Sequence, residues 1–155
     1  MNSEIKEIIL ILSAALAPIT AIVALGIAYR QYRLERIKFR HELYEKRLAI
    51  FNSTMTLLSI IMRRADVDMS DLIKFIQETN QSYFLLGKDI TTYLDEIYKK
   101  GVDFHFQNQK LHHSSLPVGD ERTRLAEENN KLLKWFTNQL LAAREKFAEH
   151  LGLDK

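Results

Sequence analysis

Between Ile8 and Tyr29 the chain reads IILILSAALAPITAIVALGIAY, 22 residues without a charge. No other stretch constrains the fold as strongly. At about 1.5 Å rise per residue, a helix of this length covers roughly the 30 Å hydrocarbon core of a bilayer. Its polar side chains short of Tyr29 are Ser13 and Thr20, and both can bond back to carbonyls of their own helix. About ten Ile, Leu and Val side chains, each contributing up to roughly −0.5 kcal/mol at a helix centre, favour insertion. A cleaved signal peptide would have a basic start and an apolar run of about 7–15 residues. Here Lys6 stands against Glu4 and Glu7, and the run is longer. The stretch is read as an uncleaved transmembrane anchor.

The flanks set its direction. Beyond the run come Arg30, Arg33, Arg36, Lys38 and Arg40. Cations beside a span are retained on the cytoplasmic side, so the N-terminus is expected outside and the remainder inside. Tyr29, Arg30, Tyr32, Arg33 and Arg36 interleave rings with guanidiniums and are the expected membrane-interface residues. Residues 30–64 carry nine Lys/Arg against three Glu, whereas residues 65–155 carry twelve against fifteen Asp/Glu. Such a basic collar suits anionic lipid headgroups, at about 1 kcal/mol per cation near the surface. The plainer reading is that the collar only sets topology.

Size and composition bound the remainder. Residues 1–29 form a short outside segment and the anchor, and residues 30–155 are enough for one domain with a core. The absence of cysteine excludes disulfides, zinc–thiolate sites and thiol nucleophiles. With five Gly and two Pro there are too few turn residues for a β-sandwich.

Helical spacing then recurs along the chain. Ile37, Tyr44, Leu48, Phe51, Met55, Leu58 and Met62 form a 3/4 stripe widened by Leu43, Ile50 and Leu57. It predicts one rod of about 60 residues running on from the anchor, with coiled-coil-like character. Residues 65–70 break it, with Asp68 or Ser70 as N-cap. A second helix is predicted over 71–86, with Leu72, Ile76, Thr79, Tyr83 and Leu86 inward. Gly87 is its left-handed cap and Asp89 caps a third helix over 90–112, striped by Ile90, Leu94, Ile97, Gly101, Phe104 and Leu111. Gly101 on that stripe implies close helix approach. Residues 113–119 read as a loop. The fourth helix, 120–151, starts at Asp120 as cap and turns Leu125, Leu132, Leu133, Phe136, Leu140, Ala143, Phe147 and Leu151 inward. The fold class is all-α: a transmembrane helix continuing into a long helix packed in an antiparallel three- to four-helix bundle. The uneven lengths favour helices two and three stacked end to end across Gly87.

The blocks Leu43-Tyr44-Glu45-Lys46-Arg47, Tyr83-Phe84-Leu85-Leu86-Gly87, Tyr93-Leu94-Asp95-Glu96-Ile97-Tyr98-Lys99-Lys100 and Leu132-Leu133-Lys134-Trp135-Phe136 resemble a group of small bacterial membrane proteins. These have one N-terminal span and are usually described as uncharacterised. The resemblance implies a bacterial inner-membrane setting and brings no activity, cofactor or site residue with it.

Chemical motifs are sparse. No Glu-x-x-His occurs, and His112 and His113 are neighbours that diverge by about 100° on a helix, so neither a metal nor any other cofactor is expected. Arg36 to His41 and Arg144 to His150 match the Arg-x(4–6)-His spacing of HEPN-type ribonucleases at a frequency expected by chance. Phosphate-binding Gly loops and a nucleophile elbow are absent, so no catalytic residue is nominated. Leu116 to Asp120 leads into a helix start that could draw an anion, but a helix-initiating turn accounts for it. Trp135 beside Phe136 is expected to be partly buried in the bundle. Ser13, Ala17, Ala21, Ala24 and Ala28 place small side chains at the spacing that lets helices approach in lipid, which points to a homo-oligomer. These observations lead to a non-catalytic, membrane-anchored interaction or sensing module with the bilayer and an unknown protein as partners and no nucleic acid. The alternatives are a pore-forming or membrane-perturbing effector and, on the Arg/His spacing alone, a HEPN-type ribonuclease.

Overall fold

A computed structural model describes the backbone of residues 3–112 and 119–152, and the side chains at 3, 5, 8, 9, 11–13, 15, 17 and 19 lie outside the described ones. Among the described residues the chain is all-α, without a strand. The helices are α1 (Ser3–Arg64), α2 (Met69–Thr79), α3 (Ser82–Leu86), α4 (Lys88–His112) and α5 (Asp120–Leu151). The chain divides into two compact units, residues 1–42 and 43–155.

The first unit is the N-terminal part of α1, which continues through Pro18. All its described side chains are exposed. Among the described residues no helix is long and apolar enough to cross a membrane. The span expected over Ile8–Tyr29 falls partly outside the description, at the side chains of Ile8, Ile9, Ile11, Leu12, Ser13, Ala15, Ala17 and Ile19.

The second unit is an antiparallel bundle. Arg47 of α1 meets Leu85 at the end of α3, and Asn108 of α4 meets Ala65 just after α1. Asn129 of α5 meets Asn108, and His150 meets Asp89 at the start of α4. The chain thus runs down α1, up α2 and α3, down α4 and up α5. The core gathers Ile50, Leu57, Leu58 and Ile61 of α1, Leu72 and Phe75 of α2, Ile90, Leu94, Ile97 and Phe104 of α4, and Phe136, Ala143 and Phe147 of α5. Ring pairs join the layers, Phe51 with Phe147 at 5.4 Å and Phe104 with Phe136 at 5.8 Å between centroids.

Several expected features shift. The buried face of α1 is centred on Ile50, Thr54, Leu57, Leu58 and Ile61, while Ile37 and Met62 are exposed. Thr54 is tolerated there because its hydroxyl bonds the Ile50 carbonyl at 2.9 Å. The second predicted helix is two helices, α2 and α3, separated at Asn80 and Gln81. That break changes the register, so Phe75 and Ser82 are buried while Ile76 and Tyr83 face outward.

Gly87 has the expected positive φ, but its ψ of 178° is extended rather than left-handed helical, a region open only to glycine. The chain therefore reverses there, and α2 and α3 pack alongside α4 instead of stacking end to end with it. The two expected caps move by a residue or two. α4 begins at Lys88 and α5 follows Gly119, which places Asp89 and Asp120 in first turns, where a carboxylate still favours the dipole. Asp68 is the N-cap of α2, with its carboxylate on Arg64 at 3.2 Å rather than on the helix amides.

Candidate functional site

Polar side chains that bridge helices cluster at the two ends of the bundle. At one end Arg47 projects from α1 among helix termini that leave carbonyls without intrahelical partners. Its Nε donates to the Leu85 carbonyl at 2.8 Å and its Nη1 to the His150 carbonyl at 3.0 Å. These charge-assisted bonds cap α3 and α5 with one guanidinium. The His150 ring turns the other way and donates from Nε2 to Asp89 Oδ2 at 3.1 Å. That hydrogen bond holds the Asp89 carboxyl below its usual 3.8 against opposing desolvation, with the first-turn backbone of α4 contributing. A groove of about 280 Å³ beside the pair is lined by Asp89, Ile90, Glu145, Lys146 and Glu149.

At the opposite end the turn after α1 is clasped to α4. Ala65 has a φ of 48°, a left-handed conformation that costs a non-glycine residue about 1–2 kcal/mol. Asn108 is buried and donates from Nδ2 to the Ala65 carbonyl at 3.2 Å and to Asp66 Oδ1 at 2.8 Å. Its own Oδ1 accepts from Asn129 of α5. His105 donates from Nδ1 to the Val67 carbonyl at 2.7 Å, which leaves Nε2 to accept from Gln109 at 3.0 Å.

Between the ends, Trp135 is partly buried, its ring 5.1 Å from the Phe136 ring and covered by the Lys100 ammonium at 4.9 Å. It lines a groove of about 430 Å³ with Asp103, Gln107, Glu128 and Lys131.

The expected interface residues Tyr29, Arg30, Tyr32, Arg33 and Arg36 all lie exposed on α1. Tyr29, Tyr32, Arg33 and Arg36 follow i, i+3, i+4 and i+7 and so share one face. Of the small-residue stripe, Ala21, Ala24 and Ala28 are exposed on α1, while the side chains of Ser13 and Ala17 lie outside the described residues. Of the two Arg/His pairs, Arg36 and His41 belong to the first unit and Arg144 and His150 to the second. Among the described residues no three His, Asp or Glu side chains converge to hold a metal. The Arg47 junction and the Asn108 clasp carry no local sequence signature, because each joins residues far apart in the chain. The fold and its sites define an all-α antiparallel bundle with polar clasps at both ends. No family model, curated protein or solved structure matches the chain.

Proposed function

We propose that the protein is a non-catalytic interaction or sensing module anchored in a bacterial inner membrane by a single span over residues 8–29. One observation carries the reading. Leu10, Leu16, Ile22, Val23, Leu25 and Ile27 are 52–73 % exposed on α1, and at 100° per residue they point in all directions round it. A helix apolar on every side needs either a protein interior or lipid around it. The sequence supplies the continuity, since the 22-residue run is uncharged once the residues outside the description are counted. The Tyr/Arg face at 29–36 would sit at the headgroups, with anionic lipid against the basic collar. The N-terminus would be outside and the bundle cytoplasmic. Exposed small residues at Ala21, Ala24 and Ala28 suit pairing of two such helices in lipid.

The test is extraction and topology. The full chain is expected to stay in the membrane pellet after alkaline carbonate, and a C-terminal alkaline phosphatase fusion is expected to be inactive. Release by carbonate would remove the anchor, and an active fusion would reverse the orientation.

A further inference from the structure

The charges that follow the apolar run are not spread evenly round α1. At about 100° per residue, Tyr29, Tyr32, Arg33, Arg36, Phe39 and Arg40 fall within one arc of about 120°, and all six are exposed. Glu35, Lys38 and Glu42, equally exposed, occupy a separate arc of about 60°. Both arcs belong to the first unit. We propose that the arginine and aromatic arc is a one-sided binding face for the phosphates of anionic lipid, placed where α1 leaves the bilayer. The face rests on the anchor proposed over residues 8–29.

Topology alone does not ask for this arrangement. Retention of cations on the cytoplasmic side needs them near the span, on any side of the helix and as Lys or Arg alike. Here Arg33, Arg36 and Arg40 stand three and four residues apart, the spacings at which like charges on a helix repel. Glu35, Lys38 and Glu42 use the same spacings with alternating sign, so that arc neutralises itself. The arginine arc is left needing anions from outside the chain, and guanidinium forks match phosphate oxygens in pairs. Tyr29, Tyr32 and Phe39 flank the arginines with rings suited to the headgroup layer, a setting that an acidic protein surface would not require. A second copy would bring the same cations and be repelled. The exposed alanines at 21, 24 and 28 point about 90° away, so pairing through them leaves the arginine arc to lipid. Along the axis Arg33, Arg36 and Arg40 lie about 6, 10 and 16 Å beyond Tyr29. Helical side chains lean towards the N-terminus, here the membrane side, which brings Arg33 and Arg36 to the phosphates. Arg40, the farthest, acts through a surface field that decays over about 8 Å.

Spin-label spectroscopy of the full chain in phosphatidylcholine vesicles tests it, with a trace of spin-labelled phosphatidylglycerol or spin-labelled phosphatidylcholine as the probe. The wild type should hold the glycerol lipid in preference to the choline lipid. Arg33→Gln and Arg36→Gln should each lower that preference about fivefold, the effect of one cation at the surface. Lys38→Gln removes the same charge from the same stretch but from the other arc, and should leave the preference unchanged. Equal losses in Lys38→Gln and Arg36→Gln would mean an even collar and overturn the face. No preference in the wild type would also overturn it and leave the arginines to an acidic protein. Loss of the preference in inorganic phosphate, but not in chloride of equal ionic strength, would assign the arc to a soluble anion instead. Carbonate extraction of the same samples separates the two readings: failure of the face alone leaves every variant in the pellet, whereas release of the wild type removes the anchor itself.

Discussion

Asn108 sits on the buried stripe of α4 between Phe104 and Leu111, where an apolar residue would be expected. It is kept because its amide answers three groups at once: the Ala65 carbonyl, the Asp66 carboxylate and the Asn129 amide. Asn108→Ala would leave these without their partner, and the expected cost is about 2–3 kcal/mol in denaturant titrations followed by circular dichroism. A loss near zero would mean that the strained turn at Ala65 holds itself. Tyr93 shows the opposite use of a core position. Burial first, and the Glu96 charge second, push its phenol up from 10.0 to about 12. Its contribution is therefore complete below pH 10 and is lost as pH rises towards 12. Tyr93→Phe is expected to cost about 0.5–1 kcal/mol at neutral pH, through the Gln139 hydrogen bond, and to flatten that alkaline decline. Phenolate absorbance against pH, in both chains, checks the assignment. Neither role was legible from periodicity, which scores Asn as an interruption and Tyr as merely apolar.

Gly101 was legible at the scale of elements, and for a physical reason. A glycine on an otherwise apolar stripe carries a propensity cost that something must offset. The offset is contact with α2, since a Cβ built on Gly101 would lie 2.6 Å from Leu72 Cδ2. Leu72 is fully buried, so it cannot swing away. Gly101→Ala should therefore lose about 1–3 kcal/mol despite the better helix propensity of alanine, and adding Leu72→Val should recover part of it. A stabilised single variant would show that α2 can slide on α4. The C-terminal end of α1 and both bounds of α5 were equally readable, because each helix is long and periodic with a break or a glycine at its end, whereas α1 begins at Ser3, ahead of the apolar run expected from Ile8. The split between α2 and α3 was not. It follows from how Phe75, Ser82 and Leu86 fit against α4, which the local sequence does not encode.

For the molecule as a whole, composition and periodicity were enough for an all-α bundle, because few glycines and prolines leave little else to build. The polar junctions at its ends stayed hidden, since Arg47, Asp89 and His150 meet only once the chain is folded. Self-association is the remaining question at this scale. In lipid, helices gain little from apolar contact alone, because the tails compete equally for the same surface. What favours pairing is close backbone approach, and that needs small side chains at the contact. Ala21, Ala24 and Ala28 are exposed on α1 and follow that spacing. Changing Ala21 and Ala28 to Leu raises hydrophobicity, so carbonate resistance should be kept. It should hold two backbones apart and weaken pairing by about 1–2 kcal/mol, visible as reduced crosslinking in native membranes. Equal crosslinking in the double variant would assign the alanines to ordinary anchor composition. Absence of any wild-type crosslink would mean that a single chain is the working unit.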